Sequence, residues 1–177
     1  MNILEIFTNS ILLIITLDNE LWDIILLSLF VSFTALIIAS LLGFIVGYYF
    51  AIYNFYFKKI ILIILNSLMG IPPVVVGLIV YFIFASGGPL GIIQLLYTPS
   101  AMIIAQTIII FPIIASLSHE IFSKNWFEFK DQIRSLNIPF WGSVKLLFKH
   151  SYFLLITTLL SAFGRAISEV GAVMIVG

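Results

Sequence analysis

The chain is 177 residues long, with 62% hydrophobic and 9% charged residues and a formal net charge of zero. A soluble domain carries about 25% charged residues, so this composition excludes an ordinary water-soluble fold and calls for lipid as solvent. Zero net charge argues against nucleic acid as a partner, and the lack of Cys excludes disulfides, thiolate metal sites and cysteine nucleophiles.

Residues 1–20 come first. Their apolar run contains Glu5 and no Lys or Arg, so the basic start of a signal peptide is missing. An amphipathic or shallowly inserted helix is expected there. Residues 21–177 read as a transmembrane domain. Three complete apolar stretches lie at about 21–50, 60–84 and 100–121, and a fourth runs from about 152 to 177. Each complete stretch exceeds the roughly 20 residues that cross about 30 Å of hydrocarbon. Backbone groups in lipid are satisfied within their own segment, so these stretches are helices.

The basic residues orient the chain. Lys58 and Lys59 follow the first stretch, and Lys124, Lys130, Arg134, Lys145 and Lys149 separate the third from the fourth. The other two connections have no Lys or Arg. By the positive-inside rule the two basic connections are cytoplasmic and the two bare ones external.

In the first stretch Ala35, Ala39, Gly43 and Gly47 recur at spacing four. Such a small-residue stripe lets helix backbones approach closely in lipid. In the second stretch Pro72 and Pro73 each lack an N–H and clash with the carbonyl four residues back. A kink or break is expected at Leu68 and Met69, either structural or lining a pathway. Pro112 acts similarly on Ile108 in the third stretch. The connection at 122–150 is the only long polar segment. Its residues 128–136 suit a short amphipathic helix that Asn137 ends in a left-handed conformation. Pro139 then opens a second helix. The segment is an interfacial hairpin or a compact docking element.

The sequence lacks the G-x-x-x-x-G-K-S/T phosphate cradle. Neither His119 nor His150 has the His partner at spacing four that a helical metal site uses. No metal or cofactor site is read, and an intramembrane enzyme would need more converging ionisable groups than Arg165 and Glu169. A channel could use proline-broken helices but leaves the polar hairpin unexplained.

This layout resembles the permease subunit of bacterial ABC importers. That family carries a cytoplasmic pattern E-A-A-x3-G-x9-I-x-L-P before a late membrane helix. Here Asp131, Gln132 and Ile133 stand at E-A-A, Asn137 at the Gly, Leu147 at the Ile, and Lys149 and His150 at the final L-P. Three further stretches, "GIPPVVVGLIVYF", "GPLGIIQLLYTPSAMIIAQ" and "GRAISEVGAVMIVG", are similar to the molybdate and tungstate branch, most of all to tungstate-type permeases. The resemblance implies an all-α, polytopic bundle of the type I importer kind in the bacterial plasma (inner) membrane. It implies ATP-driven import of a tetrahedral oxyanion: tungstate first, molybdate or sulfate as alternatives. It implies two permease copies as a homodimer amid membrane lipid, ABC ATPase subunits that hydrolyse the ATP, and an external substrate-binding protein. It also implies at least one more helix beyond Gly177, so that the chain is truncated. Asp131, Gln132, Ile133, Asn137 and Ile138 would form the ATPase-docking loop, and Arg165, Glu169, Pro72 and Pro73 would border the translocation pathway.

Arg165 and Glu169 are four residues apart on one helix face, about fourteen residues into the fourth stretch. Gly164, Ser168 and Ala172 form a small-residue stripe beside them, so this region is expected to face protein. Two readings stand open: a structural pair that fixes helix register, or an Arg that attracts the oxyanion while Glu169 holds it.

Overall fold

The structure is a computed structural model and describes residues 19–169 and 175–177. The segment expected to lie shallowly at the N-terminus is outside this range up to residue 18, as is Ala172. Five helices are described: α1 Asn19–Ile52, α2 Lys58–Leu68, α3 Pro73–Phe84, α4 Pro99–Ser135 and α5 Phe140–Ser168. A 3-10 turn, Gly91–Ile93, lies between α3 and α4. No strand occurs among the described residues. α1, α4 and α5 are each long and apolar enough to cross a membrane, and α2 with α3 make a fourth candidate span bent by 105°.

Helix starts follow proline chemistry. α3 and α4 open on Pro73 and Pro99, where the missing N–H would have had no partner in any case. α5 follows Pro139, which is extended at φ −65° and ψ 161°. The 105° bend occurs where the Pro72–Pro73 pair prevents α2 from continuing. Tight turns rescue part of the broken ladder: the Gly70 N–H donates to the Ser67 carbonyl at 3.1 Å and the Ile71 N–H to that of Leu68 at 3.2 Å. Pro112, by contrast, is accommodated inside α4.

α1 and α4 make the most extensive pairing, with α5 packed on both. The small-residue stripe explains the closeness. Ala35, Ala39, Gly43 and Gly47 are all buried. A Cβ on Gly47 would collide with the Ser118 hydroxyl and sit 2.9 Å from the His119 nitrogen and 3.0 Å from the Ala115 oxygen. The stripe therefore seats α1 on α4 within one subunit. Small residues line this contact because without them the backbones could not approach. The Ser118 hydroxyl donates to the Gly43 carbonyl at 3.3 Å, a polar tie across the seam.

At the end of the bundle that carries the basic residues, rings replace small residues. Tyr48 of α1 meets Phe122 of α4 edge-on at 5.6 Å and Phe140 of α5 at 5.8 Å. Phe122 and Phe148 lie 4.9 Å apart. The buried Asn125 amide donates to the buried Ser151 hydroxyl, joining α4 to α5 beside this cluster.

The polar hairpin at 122–150 is not a separate pair of short helices. α4 runs unbroken from the apolar stretch to Ser135, and α5 starts at Phe140 and continues into the fourth stretch. Lys, Glu and Gln favour helix nearly as well as Leu, so the change from lipid to water changes side-chain polarity without ending the helix.

Candidate functional site

The turn between α4 and α5 closes α4 with a six-residue hydrogen-bonded cap. Asn137 has φ 50°. Its N–H donates to the Arg134 carbonyl at 3.1 Å, and the Ile138 N–H reaches back to Ile133 at 3.0 Å. This pair of bonds is the Schellman arrangement, in which the residue after the cap must be left-handed. Asn tolerates that conformation better than other non-glycine residues. Asp131, Gln132 and Asn137 are exposed, Ile138 is half-buried and Ile133 is buried. Ile133 thus anchors the cap from within while the other four present polar atoms or backbone outward. Beneath the turn lies a cavity of ≈ 330 Å³ bordered by Tyr48, Trp126, Ile133 and Ile138.

At the other end, Arg165 and Glu169 form an ion pair through Nε and Oε1, with side chains 37% and 15% exposed. Arg165 occupies the last turn of α5 and Glu169 its cap. The final carbonyls of a helix lack partners and carry partial negative charge. Arg165 suits that position; Glu169 does not, and the pair offsets its cost. Two neighbours satisfy the orphaned carbonyls. The Ser168 hydroxyl donates to Arg165 at 2.9 Å, and the buried Gln106 amide on α4 donates to Ala166 at 3.2 Å. A cavity of ≈ 260 Å³ borders this point, lined among others by Ser28, Ser32, Gln106 and Glu169. Among the described residues nothing donates to the Gln106 side-chain oxygen.

The pair sits nearer the bare end of the bundle than its spacing from Tyr152 suggests. Glu169 shares its cavity with Ser28, about 11 Å along α1 from that helix's midpoint at 1.5 Å per residue. The reason is the early start of α5 at Phe140, which gives the helix twelve more residues before the apolar stretch begins. Pro72 and Pro73 belong to a different place. Their elbow borders an apolar cavity of ≈ 370 Å³ whose lining includes Met69, Ile71, Phe111 and Pro112, with no residue in common with the cavity at Glu169.

Gln106 escaped the sequence reading. A lone amide in the apolar third stretch was the available signal, since a polar side chain there must find a partner inside the protein. The Asn66–Ser116 side-chain bond between α2 and α4 is of the same kind.

The capped turn at one end and the ion-paired helix terminus at the other belong to a multi-pass helical membrane protein. No protein-family model matches the chain. The tungstate uptake system permease protein TupB of Peptoclostridium acidaminophilum is 39% identical over 175 residues, 99% of this chain and 77% of that protein. A probable anion ABC transporter permease protein of Haloferax volcanii is 36% identical over 150 residues, 85% of this chain and 65% of that one. TupB of Campylobacter jejuni subsp. jejuni is 36% identical over 126 residues, 71% of this chain and 52% of that one. The chain belongs to the ABC transporter permease family, in the branch of the tungstate uptake permeases. It spans from about half to about three quarters of the length of these relatives. Its role is that of the permease subunit, not of an enzyme.

Proposed function

We propose that this chain is the membrane-spanning permease of an ATP-driven tungstate importer in the plasma membrane. The observation that carries the reading is 39% identity to a tungstate uptake permease over 99% of the chain. Tungstate is a tetrahedral dianion, and ATP acts through a separate ATPase subunit, as membership of the ABC permease family implies. That subunit docks at the Schellman turn, with Asp131, Gln132, Asn137 and Ile138 in contact and Ile133 behind them. The basic end of the bundle is then cytoplasmic, in keeping with the positive-inside rule. Two copies form a homodimer, and a substrate-binding protein delivers the oxyanion to the bare end.

ATP binds one conformation better than the other and so shifts the bundle between outward-open and inward-open states. Arg165 meets the arriving dianion near the bare end, where its planar fork suits an oxyanion. Glu169 already holds the guanidinium, so the anion gains only a share of its charge and is released rather than trapped. The Pro72–Pro73 elbow borders a separate apolar cavity, and its part in the pathway would be to let α2 and α3 move against each other as the bundle changes state.

The test is tungsten accumulation by elemental mass spectrometry in cells carrying the complete transporter. Uptake is expected to vanish when this subunit alone is removed and to return with it. Excess molybdate or sulfate is expected to reduce it only weakly. Unchanged tungsten accumulation without the subunit would refute the reading.

A further inference from the structure

A second cavity at the basic end shares only Gln132 with the proposed docking turn. It is an open recess of ≈ 570 Å³ between α4 and α5, lined by Phe129, Gln132, Gly142, Lys145, Leu146, Lys149 and His150. Its lining contains three potentially cationic side chains and no carboxylate. Two of its lining residues, Phe129 and His150, pack edge to face at 4.7 Å. His150 also borders a neighbouring recess with Glu120, Lys124 and Glu128. Lys145 and Lys149 are the two lysines of the larger recess.

The rest of the same helix face is apolar. Lys145 and Lys149 are succeeded along α5 by Phe153, Ile156 and Leu160, all at helical spacing and all exposed. From Lys149 to Leu160 is eleven residues, about 16 Å of helix. One leaflet of the hydrocarbon core is about 15 Å thick. A basic recess thus opens at the foot of an exposed apolar strip one leaflet long.

We propose that this recess and strip together bind one anionic phospholipid of the cytoplasmic leaflet. The phosphate lies between Lys145 and Lys149. One acyl chain lies along Phe153, Ile156 and Leu160. Basic pockets between helices at the cytoplasmic face suit such headgroups. The charge complementarity and the length of the strip favour a lipid over an acidic protein surface, which would have no use for the strip. Lys149 also stands nine residues up α5 from Phe140, about 13 Å from the helix start, set back from the tip where the ATPase docks. The site rests on the proposed orientation, with the basic end inside.

The test uses the purified transporter, permease together with its ATPase, in mild detergent. Native mass spectrometry counts phosphatidylglycerol retained per permease, and ATPase retention is read from the same spectra. The variant with Lys145→Gln and Lys149→Gln is expected to bind phosphatidylglycerol about thirtyfold more weakly, from the usual contribution per lysine near an anionic lipid surface, while keeping its ATPase. Lys145→Arg with Lys149→Arg is expected to retain the lipid. Equal retention of phosphatidylcholine, unchanged phosphatidylglycerol in the Gln variant, or complete displacement by millimolar inorganic phosphate would overturn the site. So would loss of the ATPase with the lipid still bound, which would mark the recess as a protein contact. So would a Phe153→Cys disulfide between two copies, which would mean that a second permease covers the strip. Labelling of a Lys145→Cys variant by an impermeant thiol reagent outside intact cells would instead overturn the orientation.

Discussion

Asn137 offers the sharpest test of the docking turn. Its φ of 50° costs an ordinary L-residue about 1–2 kcal/mol, and a β-branched side chain is the worst suited to it. Asn137→Val faces two poor options. It can hold the turn and bear that strain, or open it and lose the bonds from residues 137 and 138 to Arg134 and Ile133, each contributing about 1 kcal/mol. Either route lifts the docking-competent turn by about 1–2 kcal/mol, or roughly five- to thirtyfold in affinity. Asn137→Gly adopts the same φ freely and is expected to bind within about twofold of the parent, its gain in turn strain set against the greater freedom of the unfolded chain. The assay is titration of the purified ATPase onto permease in nanodiscs, with helix content followed by circular dichroism to show that the bundle is intact. Equal affinity of the Val and Gly variants would refute the reasoning, because the left-handed turn would then not matter to docking.

Gly47→Ala is expected to destabilise the α1–α4 contact by about 1–3 kcal/mol, read as a lower unfolding midpoint in detergent. Gly164→Ala, where a Cβ meets nothing within 4 Å, is expected to raise the midpoint slightly because Ala favours helix over Gly, and an equal fall in both variants would contradict the assigned packing. For topology, Lys58→Cys and Arg134→Cys should resist an impermeant thiol reagent applied to whole cells, whereas Gly87→Cys, in open space, should react; labelling at 134 would reverse the orientation. Gly88 is a poorer site for such a probe, because a Cβ there would lie 2.7 Å from the Ile83 oxygen. For the ion pair, a structural role predicts that Arg165→Glu with Glu169→Arg restores folding and uptake lost in either single variant. A pathway role predicts that Arg165→Lys inserts normally, binds its ATPase and imports tungstate poorly. Full uptake in Arg165→Ala would exclude both roles.

The legible parts of the fold were those where a residue has few conformations or few neighbours open to it. Two adjacent prolines cannot continue a helix, and the chain bends by 105° there. Asn137 stood where a helix needed a left-handed residue. The stripe from Ala35 to Gly47 marked the buried face of α1 because small size is a packing signal that survives in lipid. Apolar periodicity is not. Phe30, Phe33, Leu41 and Ile45 are exposed on the helix that buries Val31 and Ala35, since lipid accepts large apolar groups as readily as a core does. The ends of α4 and α5 were hidden for a related reason. A polar run such as residues 122–150 marks where water begins, not where a helix stops. At the candidate site the Arg165–Glu169 contact follows from spacing alone. The donation from Gln106 to Ala166 joins residues sixty apart in sequence, and no local pattern announces it.

The continuity of α4 has a mechanical consequence. Its 37 residues make a rod about 55 Å long that joins the turn after Ser135 directly to Thr98 at the opposite end. There is no hinge of loop residues between them to absorb a displacement. If the rod pivots about its far end, a tilt of about 5° moves the near end by about 5 Å, close to one helical pitch. A force applied at the Asn137 turn is therefore a force on the whole span, and α1, seated on α4 along the glycine seam, is carried with it. If the ATPase docks at that turn as proposed, a displacement imposed in water is passed along α4 into the membrane, diminishing toward the pivot, without a separate coupling element.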